Sequence, residues 1–262
     1  MLKKIFVFLI KKIFSLLGYK ILVSKKINQQ LVLLDKFEWE PFFKQNDRIK
    51  LYYKGLQQSK GEKSDNFPKQ CRFYSLQQIV EFVLKQDLTG DFVECGCWKG
   101  HSSYIISTIL LKNNFVNKFH IFDSFEGGLS NSTIEDKNIR VKLNQKKIKK
   151  VSKAFSSTEE EVKTCLSNFP FIKIYNGWIP ELFNKIKNKQ FAFIHIDVDL
   201  YQPTLDSLTF FYPKLLKNGC IVIDDYGSCQ FPGAKKAVDQ FLKKNNYYMF
   251  YEIPMGGCFI IK

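Results

Sequence analysis

Apolar residues along this chain fall into short runs that alternate with amphipathic stretches, and two of the runs end abruptly in carboxylates. Phe191-Ala-Phe-Ile-His-Ile runs into Asp197-Val-Asp199, and Cys220-Ile-Val-Ile runs into Asp224-Asp225. Short, partly β-branched runs with acidic tips predict buried strands whose C-terminal ends open into a site. In open α/β sheets, ligands sit outside those ends. The same pattern predicts strands over 91–95, 119–123 and 171–175, and a hairpin of 247–253 with 258–261 around Pro254-Met-Gly-Gly257. Helices are predicted over 72–87, 101–112, 180–187, 203–216 and 232–244. Proline in the first turn supports the starts at Pro180 and Pro232, and Asn218-Gly219 reads as a helix stop. The alternation describes a doubly wound, Rossmann-like α/β sheet closed by the hairpin.

Two stretches ahead of this alternation differ from it. On a helical wheel Leu2, Ile5, Phe6, Leu9, Ile13, Leu16 and Leu17 share one face, with Lys3, Lys4, Lys11 and Lys12 opposite. The apolar run is far shorter than the ~20 residues needed to span a bilayer. Lys11 and Lys12 interrupt it and no small-residue cleavage site follows, which argues against a signal peptide. Such a helix suits peripheral contact of residues 1–20 with an anionic membrane face. Packing on its own domain or across a homo-oligomer interface fits the stripe equally well. Residues 54–69 are polar without an apolar period and read as a linker or mobile loop. The expected organisation is a helical extension over 1–53, the linker over 54–69 and one large domain over 70–262.

Composition narrows the picture. With 262 residues, 45% hydrophobic and 25% charged, the chain has the make-up of a globular protein. Its seven cysteines include no CxxC pair, which suits free thiols in the cytoplasm, at most peripheral on the inner membrane face. The net charge of +15 comes without any nucleic-acid-binding motif, so no nucleic-acid partner is expected. That charge also serves to keep a protein with 26 Phe in solution.

The turn after the first predicted strand bears on the cofactor. In Glu94-Cys-Gly96-Cys-Trp98-Lys-Gly100 an acid precedes two widely spaced glycines. A dinucleotide site needs G-x-G-x-x-G with a pyrophosphate on the helix N-terminus. An acid here repels pyrophosphate and suits a cation, and S-adenosylmethionine (SAM) carries an ammonium and a sulfonium. Asp123, at the next strand tip, suits the hydroxyls of a ribose. These features favour SAM over a dinucleotide.

Gly90-Asp-Phe-Val-Glu-Cys-Gly-Cys-Trp-Lys-Gly100, Phe122-Asp-Ser-Phe-Glu-Gly127, Ile196-Asp-Val-Asp-Leu-Tyr-Gln-Pro-Thr204 and Ile223-Asp-Asp-Tyr-Gly227 stand in one order. In that order, over about residues 70–262, the chain resembles the macrocin O-methyltransferase (TylF/MycF) family of sugar O-methyltransferases that use SAM and Mg²⁺. The resemblance implies a class I SAM-dependent methyltransferase fold, with a mostly parallel seven-stranded sheet and a C-terminal antiparallel hairpin. It implies Asp197, Asp224 and Asp225 as metal ligands and Asp199 as general base. Glu94, Gly96, Trp98, Asp123, Ser124, Phe125 and, more loosely, Ser157 match positions lining SAM, and Gly100 closes the same turn. Lys142–Lys153 falls where the family carries a mobile lid.

The chemistry is consistent with that assignment. Carboxylates on neighbouring strand tips are hard oxygen ligands suited to Mg²⁺, and the ion lowers the pKa of a chelating hydroxyl. On an extended chain Asp197 and Asp199 lie on one side, about 6.5 Å apart, so one binds metal while the other takes a proton. His195 has the same parity, with a packed core role favoured over a catalytic one. The expected function is methylation of a hydroxyl on a sugar or glycoconjugate. A non-sugar diol would use the same metal logic, and a non-catalytic SAM-binding or membrane-associated scaffold is the alternative from another class.

Overall fold

The computed structural model describes Ile10, Lys12 and residues 46–127, 132–136, 156–228 and 232–262. The chain divides into two compact units, Met1–Phe43 and Lys44–Lys262, and the second is described here. Apart from Ile10 and Lys12, both helical, the amphipathic stretch 1–20 lies outside the described residues, as does Lys142–Lys153.

The second unit begins with α1 (Asp47–Gln58), a 3-10 turn (Glu62–Ser64) and α2 (Phe67–Leu84). The stretch 54–69 is therefore the end of one helix and the start of the next rather than a linker, and a boundary at 53/54 falls inside α1. Its polarity hides the helix because α1 buries only a narrow edge of Tyr52, Gly55 and Leu56. The turn between the helices is tied down by the Tyr52 hydroxyl, which donates to Asp65 at 2.8 Å. α2 starts earlier than predicted: the Asn66 side chain caps it by accepting from Lys69 N, and Pro68 sits in the first turn, where its missing N–H loses no bond.

From Asp91 onward the predicted alternation holds. β1 (Asp91–Cys95), α3 (His101–Lys112), β2 (Phe119–Asp123), α4 (Glu159–Cys165) and β3 (Ile172–Asn176) come first. β4 (Phe191–Ile196), α5 (Tyr201–Phe211), β5 (Leu215–Ile223), α6 (Pro232–Leu242), β6 (Met249–Glu252) and β7 (Cys258–Ile261) complete it. The strands form one seven-stranded sheet in the order β3-β2-β1-β4-β5-β7-β6. β1 to β5 run parallel, and β7 is antiparallel to both β5 and β6.

Two predicted helices differ. The segment near 180–187 is a 3-10 turn, Glu181–Ile186. α5 stops at Phe211 instead of running to 216, because Pro213 in the following turn has no N–H with which to continue the ladder. Asn218-Gly219 is consequently inside β5, with Asn218 N donating to Lys262 O at 3.0 Å.

Successive strand residues face opposite sides, and the sheet thus separates two apolar layers. Phe92, Phe193 and Val222 pack with Leu56, Phe73, Val80 and Ile105 from α1, α2 and α3. Val93, Ile194 and Ile221 pack with Leu208, Phe211, Val238 and Phe241 from α5 and α6. Each such side chain contributes about 1.5–3 kcal/mol on burial. A one-residue slip would turn every one of them to the wrong face, so the register that aligns the strand tips is firmly set.

Candidate active site

The carboxyl ends of β1, β2, β4 and β5 open into one cleft of about 1400 Å³. It lies where the strand order reverses between β1 and β4, the usual ligand position in such sheets. Gly96, Trp98, Asp123 and Ser124 line one side, and Asp197, Asp199, Asp224 and Asp225 line the other. Lys69 and Arg72 enter from α2, and Trp178 from the segment after β3.

The first side is built by close backbone approach. Gly96 has φ +81°, and a Cβ there would stand 1.9 Å from Asp197 O, so only glycine lets the β1 loop press against the β4 tip. Asp123 ties that loop to β2: its Oδ2 accepts from Cys97 N at 2.8 Å and Trp98 N at 2.9 Å, and its Oδ1 from Phe125 N at 2.8 Å. Ser157 donates to Trp98 O at 2.6 Å from behind. Gly100, in the left-handed region, starts α3. Glu94, Gly100, Phe125 and Ser157 are not among the cleft-lining residues; they brace those that are.

On the acidic side β4 ends at Ile196 and the chain then folds sharply. Leu200 N donates to Val198 O at 2.6 Å across Asp199, whose φ is +60°. This is a γ-turn of the rare positive-φ kind. Asp199 is therefore not two residues further along an extended strand from Asp197. Its own N–H donates to Asp225 Oδ2 at 2.8 Å and holds it beside the β5 tip. A non-glycine residue in this region stores about 1–3 kcal/mol of strain, a feature that clusters at functional sites.

One carboxylate oxygen from each of Asp197, Asp224 and Asp225 lies within 4.8 Å of the others. Asp224 Oδ2 accepts from Arg72 Nε at 3.0 Å, and Asp225 Oδ2 from Asp199 N, which leaves the remaining oxygens to converge. Burial, then the charges of Asp224 and Asp225, push Asp197 well above the usual carboxylate range. Burial, then Asp225 and Asp224, do the same to Asp199, and burial with Asp224 pushes Asp225 up to about 6. Repelling carboxylates of this kind call for a cation. The donor set is all oxygen, as Mg²⁺ prefers, and the residues fit that ion.

Directly beneath lies a buried pair that does not touch the cleft. Glu94 Oε1 is 2.8 Å from His195 Nδ1, Glu94 Oε2 accepts from Ser103, and Glu94 and His195 are both fully buried. The Glu94 oxygens thus face the core and not a ligand cation. Burial opposes a charge on His195, but the hydrogen bond and charge of Glu94, with Asp197 and Asp224, push it up to about 9.

Sequence reasoning passed over Lys69 and Arg72. Burial draws Lys69 down to about 8 although Asp197 and Asp224 pull the other way. A signal was present: Lys69 and Arg72 extend, one turn toward the N-terminus, the buried stripe of Phe73, Leu76 and Val80.

The sheet order, the hairpin and the cleft are those of the class I SAM-dependent methyltransferase fold. Residues 64–252 match the macrocin-O-methyltransferase (TylF) family, and the chain belongs to it. It is 28% identical over 180 residues to a demethyldecarbamoylnovobiocin O-methyltransferase from Streptomyces niveus, covering 66% of each chain. It is 27% identical over 164 residues to the 8-demethyl-8-(2,3-dimethoxy-alpha-L-rhamnosyl)-tetracenomycin-C 4'-O-methyltransferase of Streptomyces olivaceus, covering 59% of this chain and 60% of that one. The matched stretch thus spans two thirds or less of these relatives' length. Among solved structures, the O-methyltransferase NovP superposes with a TM-score of 0.60 at 25% identity, over 73% of this chain and 79% of that one.

Proposed function

We propose that the protein is a SAM- and Mg²⁺-dependent O-methyltransferase acting on a hydroxyl of a sugar or glycoconjugate. The observation that carries this reading is the four-carboxylate cluster facing the glycine turn across one cleft. Family membership supports the methyl transfer, and the rhamnosyl group in one relative's name supports a sugar acceptor.

When bound, SAM would supply the methyl group, and Mg²⁺ would supply positive charge against the acceptor oxygen. Asp197, Asp224 and Asp225 would hold the ion, with Arg72 fixing the Asp224 carboxylate through its Nε. Such supporting bonds orient ligands and tune them. Asp199, turned toward Asp225 by the γ-turn, would take the acceptor proton. Gly96 lets the β1 loop lie close to the reacting centre, and Asp123 holds that loop in place through its bonds to Cys97 N and Trp98 N. Much of the rate would come from positioning.

Purified protein incubated with SAM, Mg²⁺ and a panel of glycosides bearing adjacent hydroxyls should form S-adenosylhomocysteine together with a methylated glycoside. Absence of both product and SAM binding would overturn the reading. Turnover of catechols but of no glycoside would replace the acceptor class.

A further inference from the structure

Lys69 is a cation in an unusual place. It is 8% exposed, and its ammonium stands 5.2 Å from the centre of the Phe73 ring and 5.6 Å from that of Trp98. Among the described residues its ammonium donates one hydrogen bond, to Ser64 Oγ at 2.7 Å. Among the described residues no carboxylate approaches it within ion-pairing distance, whereas Arg72, on the same face of α2, is paired with Asp224. An ammonium carries three donors, so two of them remain for a ligand. A buried charge without a partner is costly, and proteins keep one where a ligand completes it.

The position narrows the choice of ligand. Lys69 lines the cleft beside Gly96, Cys97 and Trp98, on the turn after β1, while Asp197 and Asp224 lie near enough to act on its charge. On that same turn Trp98 Nε1 is buried without an acceptor among the described residues, so one unmet donor lies there as well. The anion must therefore arrive with a ligand held by the glycine turn. SAM carries a single anionic group, the carboxylate of its methionine end.

We propose that Lys69 recognises the methionine carboxylate of SAM and so fixes that end of the cofactor against the Trp98 turn. The inference rests on the methyltransferase reading above and assigns a binding residue within it. The Phe73 and Trp98 rings near the ammonium hold it in place by cation–π attraction, so little side-chain freedom remains to be lost when the carboxylate arrives.

The test is a two-by-two titration by calorimetry in magnesium buffer. It sets the parent protein against Lys69→Met, and S-adenosylhomocysteine against S-adenosyl-3-thiopropylamine, the same molecule without its carboxylate. The parent should prefer S-adenosylhomocysteine by about tenfold to a hundredfold, the worth of a charge-assisted bond. Lys69→Met should lose that preference while binding the decarboxylated ligand as the parent does. Lys69→Arg, which keeps the charge, should retain part of the preference and guards against a folding defect in the Met variant. Equal weakening of both ligands would overturn the proposal and make Lys69 a counter-charge to the acidic cluster, and an unchanged preference would overturn it as well. If the parent binds neither ligand, the methyltransferase reading itself fails, and a parent that binds both ligands equally rejects only the role of Lys69.

Discussion

Two groups of charge lie close together at the tips of β1, β4 and β5, one fully buried and one lining the cleft, and they are opposite in design. Glu94 and His195 are fully buried and pair through Glu94 Oε1 and His195 Nδ1, with Ser103 taking up the other Glu94 oxygen, while His195 Nε2 has no partner among the described residues. Asp197, Asp199, Asp224 and Asp225 repel one another, and Arg72 is the one cation among the described residues that pairs with them directly. A carboxylate that meets its partner inside the core belongs to the architecture, whereas an overcharged cluster is left for a ligand to complete.

The largest effect should come from the uncompensated group. Asp197→Ala should lower kcat/KM about 10⁴-fold or more, because the charge stabilisation supplied by the ion goes with its ligand. In chelator, the same variant should be as stable to urea as the parent or more so, since one of several repelling charges is gone. A clear loss of stability would place Asp197 in the architectural group and break the contrast.

Asp199→Asn sharpens the division within the cluster. Turnover should fall about 10³-fold, within the range for a positioned proton acceptor, with magnesium still bound. Glu94→Gln probes the lower pair. Breaking one partner of a buried pair should cost roughly 3 kcal/mol of stability in urea denaturation, and a variant as stable as the parent would show that the pair is not structural.

The smallest effect concerns His101, a third buried polar group, where α3 starts. Burial, then the charge of Lys69, push it down to about 3, while Tyr52 O lies 2.9 Å from its Nε2. In the unfolded chain a histidine titrates near ~6.5. Because the folded value is lower, the unfolded state binds the proton first as pH falls. The contribution is thus complete above ~6.5 and shrinks toward pH 3, by about 1.4 kcal/mol per pH unit. Relative to neutral pH, the parent should lose about 2 kcal/mol at pH 5 on this account, and His101→Gln should remove that part of the slope.

The contrast also explains what could be read in the sequence. The acidic tips were visible because apolar runs such as Phe191–Ile196 end in them, and the sheet was legible for the same reason. Their partners were not, since Arg72 meets Asp224 across 152 residues and His195 meets Glu94 across 101, and no local pattern records such distances. The γ-turn at Asp199 was hidden because an Asp-Val-Asp spacing reads the same whether or not the strand continues. The part of α1 beyond residue 53 is illegible because a helix that buries one narrow edge leaves a polar sequence, and the end of α5 because the later Asn-Gly is the stronger stop signal in the sequence. In each case contacts distant in sequence, or one backbone angle, decided the outcome.

The central claim is that the repelling carboxylates form a cation site. It is tested most directly by calorimetric titration of the metal-free protein with magnesium, beside Asp224→Asn. The account predicts one ion bound per chain in the parent and none in the variant. No binding by the parent, or equal binding by both, would contradict it.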